Sequence, residues 1–173
     1  MHINPYGEYA VKLGIDLLNN PPTTAVELGE RCIDAGLVPD WTATEADLVD
    51  TLEFLRCWAQ VVDAVTEHDR AEALNLLLAQ AAAYPRLTNH AGDGWHMHYR
   101  DPNIALGGVI RALVSVGTAL HLTGRGMSRL ARCAAADCSL AFADTSRTGT
   151  QRYCGTVCSN RDAVRRHRAR AAS

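Results

Sequence analysis

Four cysteines in two short-spaced pairs, Cys133-Ala-Ala-Ala-Asp-Cys138 and Cys154-Gly-Thr-Val-Cys158, constrain the last third of this 173-residue chain more than any other feature. Each pair straddles one tight turn. Two such pairs can converge on a tetrahedral zinc ion from opposite sides, with thiolate as the ligand that suits it. Gly155 is expected to ease the second turn through backbone conformations closed to other residues. The fifteen residues between the pairs, Ser139 to Tyr153, are too many for a local turn and predict a hairpin. Cys158 opens a segment of helix-forming residues. A knuckle, a hairpin and a ligand-bearing helix together describe a treble-clef-like finger holding one structural zinc on Cys133, Cys138, Cys154 and Cys158. Cys32 and Cys57 lie alone in apolar helical patterns and read as small buried residues.

Zinc is preferred to disulfides because the N-terminus lacks a positive start followed by a long apolar run, which predicts a cytoplasmic chain with reduced thiols. No membrane span is expected. The longest apolar stretch, Ile104 to Leu122, contains Arg111, His121 and three glycines and reads as a buried helix.

Charge divides the chain at the same place as the cysteines do. The net charge of −2 hides −9 over residues 1–124 and +7 over residues 125–173. An acidic body with a basic tail means that the tail, rather than the body, meets any polyanion. Gly124 and Gly126 break the preceding helical pattern, so domains are expected at 1–124 and 125–173, with Met127 to Arg132 as a short helix between them.

Apolar periodicity predicts a mainly α body. Val11, Ile15 and Leu18 share a face that stops at Asn19-Asn20-Pro21-Pro22. Thr24 with Glu27, and Thr44 with Asp47, fit capping patterns for two further helices. The second carries the stripe Leu48, Leu52, Leu55, Ala59 and Val62. Asp69 with Glu72 is expected to open a fourth helix through Leu74, Leu77, Leu78 and Ala81, until Pro85 forbids continuation. From Arg86 the period changes to two. A β-hairpin is expected, turned at Gly92-Asp93-Gly94, with Trp95, Met97 and Tyr99 facing the core and His96 and His98 outside. A last long helix, capped by Asn103, runs to about Leu122, with His121 near its end as a partner for the helix dipole.

The finger carries a more specific likeness. Asp144-Thr-Ser-Arg147-Thr-Gly149, Tyr153-Cys154, Cys158-Ser-Asn160-Arg161 and Val164-Arg165-Arg166-His-Arg168-Ala-Arg170 resemble the CGNR zinc finger. The body is similar in length and character to the ABATE domain that precedes this finger in bacterial proteins regarded as stress-induced transcription regulators. Ser159 stands where the naming motif has glycine. Serine fits the first turn of a helix, so the fold is expected to tolerate it. The resemblance implies a DNA-binding transcriptional regulator.

The residues themselves leave three readings open. On a helix from Cys158, Arg161, Arg165 and Arg168 form one row and Arg166 and Arg170 a second beside it. These guanidinium groups, with Arg147 and Arg152 and the hydroxyls of Ser146 and Thr148, suit phosphate oxygens and guanine edges of duplex DNA. RNA is the second partner, with Tyr153 and Phe142 as the available stacking aromatics. A zinc-stabilised protein-interaction module is the third, in which Asn160 and Arg161 serve to hold the finger together. A homodimer reading two half-sites is compatible with the first. Any effector of the body is undefined by the sequence. Four cysteines leave zinc no open position, and neither a phosphate-cradling loop nor a nucleophile elbow occurs, so no enzymatic activity is expected. His90, His96 and His98 could hold a second metal, but the simpler reading is an exposed polar face.

Overall fold

The computed structural model describes residues 7–37, 42–89 and 95–171. They form six helices and two two-stranded antiparallel sheets. The helices are α1 (Glu8–Asn19), α2 (Ala25–Asp34), α3 (Glu45–Asp63), α4 (Glu67–Ala81), α5 (Leu106–Arg125) and α6 (Thr156–Ala171). The first sheet pairs β1 (Arg86–Thr88) with β2 (His96–His98), and the second pairs β3 (Leu130–Arg132) with β4 (Ala141–Ala143).

The helix starts follow from cap chemistry. Thr44 and Asp47 make the full reciprocal box expected of them, each side chain accepting the other's backbone N–H. Thr24 accepts from Glu27 N–H, but the Glu27 carboxylate returns to Thr23 rather than to Thr24. For α4 the cap is Thr66, whose hydroxyl accepts from Asp69 N–H (3.1 Å); the expected start at Asp69 is three residues late. Asn103, expected to cap α5, instead adopts a left-handed backbone outside the helix, which begins at Leu106 without a side-chain cap.

Helix α5 is the centre of the body, buried against α1, α3 and α4. It extends through Gly124 to Arg125, past the predicted end at Leu122. By length and composition it could cross a bilayer, although 67% of its most apolar window is buried inside the protein. α1 crosses it where two glycines meet. A Cβ at Gly7 would collide with the Gly117 carbonyl, so neither position can carry a side chain. Around this crossing pack Val11, Leu17, Phe54, Trp58, Val61, Ile110 and Val114. Trp58 Nε1–H donates to Thr118 Oγ1 (3.0 Å), which satisfies its only polar atom inside the core. Asp47 also reaches across to accept from Gly107 N–H (2.8 Å), tying the starts of α3 and α5 together.

Two further sequence expectations are corrected here. Cys57 is exposed rather than buried, whereas Cys32 is buried and its thiol is pushed up to about 11 by that burial. The first hairpin is inverted. Trp95 is 75% and Met97 43% exposed, while His96 and His98 are half-buried; of the three residues expected to face the core, Tyr99 is half-buried. The expected turn at Gly92-Asp93-Gly94, like His90, lies outside the described residues.

The second hairpin joins finger to body. Leu130 and Ala141 are fully buried members of the same core cluster as the helices. The Asn19 carboxamide, at the end of α1, donates to the Ala141 carbonyl (2.9 Å) and accepts from its N–H (2.8 Å), as a neighbouring strand would. Arg132 pairs with Asp63 at the end of α3 (2.7 Å). Arg70, buried, donates to the carbonyls of Val61, Ala64 and Met127, closing the end of α3 onto the connection to the finger. That connection is a turn leading into β3, not the short helix expected over Met127 to Arg132.

Candidate metal centre and basic helix

Strand pairing and the expected tight turn together position the first cysteine pair, with Cys138 N–H donating to the Ala135 carbonyl (3.1 Å). Cys133 follows directly on β3, and its N–H donates to the Leu140 carbonyl (2.8 Å), so residues 133–140 close the β3–β4 hairpin as a knuckle. The expected hairpin within Ser139–Tyr153 is thus half right: β4 lies there, but its partner precedes the first cysteine. The remaining loop, residues 144–152, is held from within. Asp144 is buried and its carboxylate accepts from the N–H groups of Ser146 (2.9 Å) and Gln151 (3.1 Å) and from the Ser146 hydroxyl. These bonds and nearby Arg129 outweigh burial, which alone would raise it, and hold its carboxyl below the ordinary carboxylate value. Arg129 lies flat against Gly149, donating to the Ser146 carbonyl (2.7 Å) and pairing with Asp144 (3.4 Å). A Cβ at Gly149, whose φ is +69°, would fall inside that guanidinium.

The second pair is placed by the start of α6. Cys154 lies two residues before the helix and Cys158 in its first turn, with Ser159 N–H donating to the Gly155 carbonyl (3.2 Å). Gly155 does not supply the special backbone conformation expected of it: it is absent from the positive-φ glycines, and a side chain there would meet open space.

The four sulfurs of Cys133, Cys138, Cys154 and Cys158 lie within 4.8 Å of one another. Cys154 Sγ is 3.7 Å from both Cys138 Sγ and Cys158 Sγ. A tetrahedron with metal–sulfur bonds of about 2.3 Å has sulfurs about 3.8 Å apart, so the cage fits one structural zinc. The acid–base chemistry of the thiols points the same way. Burial opposes ionisation of Cys133, but hydrogen bonds from the backbones of Ala135 and Cys154 bring it down to about 7. Cys154 is pushed up to about 12, by burial first and then by the neighbouring thiols. A thiolate forms readily at Cys133, whereas Cys154 and Cys158 resist ionisation, so a cation is what draws thiolates together in this cage.

Charged side chains brace this centre. Arg161 donates to Cys158 Sγ (3.4 Å) and pairs with Asp137 of the knuckle (3.0 Å), joining the two halves of the finger beside a cluster that is dianionic with zinc bound. Asp162, 7% exposed, accepts from the Tyr153 hydroxyl (2.6 Å) and pairs with Arg165 and with Arg166 (3.1 Å). The Tyr153 bond, ahead of the arginines, lowers its carboxyl. Asp162 and Arg129 carry no role in the sequence reading, and Asn19 enters it only as part of a helix stop. Asp162 could have been singled out, since it stands three and four residues before Arg165 and Arg166.

Beyond Asp162, every residue of α6 is exposed from Ala163 to Ala171. Arg165 and Arg166 therefore stay more than half exposed despite their shared carboxylate. Among the described residues, Arg147, Arg152, Arg168 and Arg170 carry no ion pair. Asn160, Arg161, Val164, Arg165 and Arg168 line a shallow hollow of about 420 Å³ along one side of the helix. Of the hydroxyls expected to face a phosphate, that of Ser146 is turned inward to Asp144, and that of Thr148 meets Thr150 (3.1 Å). Phe142 is buried and Tyr153 half-buried, so neither stands out as a stacking platform. His121 is not a charged partner at a helix end: it is fully buried, burial depresses its pKa, and its Nε2 lies 3.3 Å from the Arg129 carbonyl oxygen.

Comparison with known families places this site. Residues 129–171 match the CGNR zinc finger family. No curated protein matches the chain. The match begins at Arg129 and ends at Ala171, the last residue of α6, so it takes in the cysteine cage, the Asp144–Arg129 loop lock and the whole basic helix. It does not extend to the helical body.

Proposed function

We propose that this protein is a DNA-binding transcriptional regulator whose zinc finger presents α6 to the duplex. The observation that carries this reading is the asymmetry of that helix. Its first two turns are fixed by Cys158 and by the buried Asp162, while the nine residues after Asp162 are exposed and include four arginines. A helix that packs its polar length against nothing, on a rigid metal-braced base, contributes little to the fold and presents a preorganised row of donors. The major groove admits such a helix, and permanently charged planar donors match both phosphates and the O6/N7 edge of guanine.

Arg161 belongs to the finger's internal bracing. Arg165 and Arg166 share the buried Asp162 carboxylate but stay more than half exposed, so each guanidinium keeps donors for a phosphate, and Arg168 and Arg170 are placed for direct contact. Arg147 and Arg152, exposed on the loop beside the helix, add backbone contacts. On the finger itself RNA is disfavoured, because Phe142 is buried and Tyr153 half-buried.

One finger of this size buries too little surface for strong discrimination, so a homodimer reading half-sites about one helical turn apart supplies it. The acidic helical body, ABATE-like by resemblance, repels the duplex and serves as the signal-receiving part in the cytoplasm. Selection from random duplex and single-stranded RNA pools tests the reading. Enrichment of a duplex motif supports it; enrichment only from the RNA pool, or from neither, replaces it by an RNA-binding or a protein-interaction function.

A further inference from the structure

The first hairpin holds an arrangement that the finger does not use. His96 and His98 stand two residues apart on β2, so their side chains leave the same face of the strand. Both are half-buried, and both positions are pinned by pairing with β1, Thr88 opposite His96 and Arg86 opposite His98. The rings tilt toward each other at 58°, and their Nε2 atoms lie 3.1 Å apart. Two imidazole nitrogens at about 2.1 Å from one ion, separated by that distance, subtend roughly 95° at the metal, the angle of a cis-chelate.

We infer that His96 and His98 form a bidentate site for a late first-row divalent transition ion, separate from the cysteine cage. The donor set selects the ion. Imidazole suits nickel, copper and zinc, whereas magnesium and calcium require oxygen. Among the described residues two protein ligands converge, which leaves coordination positions open, in contrast to the closed four-cysteine centre, so this ion exchanges with the medium. The surroundings select what fills those positions. Arg86 is the cross-strand neighbour of His98, and its guanidinium donates to the Arg100 carbonyl (2.6 Å). A guanidinium on the cross-strand neighbour disfavours a bare dication and favours an ion that carries an anionic co-ligand. The finger's zinc is structural; the hairpin's ion is a ligand of the body.

The same 3.1 Å separation is also that of a hydrogen bond between one protonated and one deprotonated imidazole nitrogen. A metal ion replaces that shared proton, and the two arrangements differ in what they bind. The experiment uses the full chain, untagged and purified with its zinc, titrated with Ni2+ by calorimetry, with nickel and zinc both counted after gel filtration. One nickel per chain is expected in addition to the retained zinc. His96→Ala and His98→Ala should each weaken nickel binding by more than ~10-fold, because loss of a direct ligand exceeds the ~10–100-fold cost of losing an outer-shell partner at its lower end. His98→Gln, which keeps a polar side chain of similar reach, should show the same loss with unchanged circular dichroism and zinc content. Nickel binding that survives these substitutions, nickel gained only at the expense of zinc, or no binding at all overturns the inference.

Discussion

Replacing Asn19 by alanine tests how firmly the finger is built into the body. The Asn19 carboxamide satisfies both backbone groups of Ala141, at 2.9 Å and 2.8 Å, on the edge of β4 that has no strand partner among the described residues. Ala141 is 1% exposed, so Asn19→Ala strands one donor and one acceptor where the fold has buried them. Each orphaned group costs ~1–3 kcal/mol. Asn19 itself is only half-buried, so water can enter the space its side chain leaves and the cost falls to the lower end. A total loss of about 2 kcal/mol follows. Asn19→Asp should cost at least as much, because a carboxylate accepts from the Ala141 N–H but repels its carbonyl oxygen. Urea denaturation of the zinc-loaded protein, followed by circular dichroism and by zinc release, measures this. The two signals should shift together to lower urea, since Leu130 and Ala141 share the core of the helices. A change below about 0.5 kcal/mol, typical of an ordinary surface substitution, would refute the reasoning. So would zinc release that moves alone.

Three other perturbations have definite expected outcomes. Gly149→Ala should cost about 2–4 kcal/mol in thermal or urea unfolding, combining the strain of a side chain at φ +69° with displacement of Arg129 from its charged hydrogen bonds; a neutral result would contradict the loop lock. Arg161→Ala should leave zinc bound but weaken its retention against a chelator by ~10–100-fold, as for other outer-shell partners, and unchanged retention would count against its bracing role. The carboxyl of Asp144 should titrate, by NMR, below its ordinary 3.8. Because the folded value is the depressed one, its stabilisation is present in full above the unfolded value and disappears as pH falls through the folded one. A titration midpoint at or above 3.8 would show that burial outweighs its hydrogen bonds.

The cysteine spacing and the apolar periods made much of this legible from residues alone. Paired cysteines specify the cage because their chemistry, not their surroundings, decides what they bind, and the Thr44–Asp47 box is a purely local device. What failed was long-range. Nothing local distinguishes an outward Trp95 from an inward one, because the choice depends on whether the body has a groove beside the hairpin. Nothing near Leu130 announces that its strand pairs with β4 across the first cysteine pair. Asn19 reads locally only as part of a helix stop, and nothing in that signal points to its partner Ala141, 122 residues away. Arg129 and Gly149 are legible only as a pair: the glycine is required by a side chain twenty residues earlier.

The measurement that bears most directly on the proposed function is the salt dependence of duplex binding by the zinc-loaded protein. It compares the parent with Arg168→Ala/Arg170→Ala, two arginines that brace nothing within the finger. Both proteins should hold one zinc and the same helix content. The parent's log K should fall linearly with log salt, and the double variant should bind more weakly with a slope shallower by about 1.8, or about 0.9 for each phosphate no longer neutralised. A parent that binds no duplex at low salt, or a variant whose slope and affinity equal the parent's, would contradict the assignment of α6 to DNA.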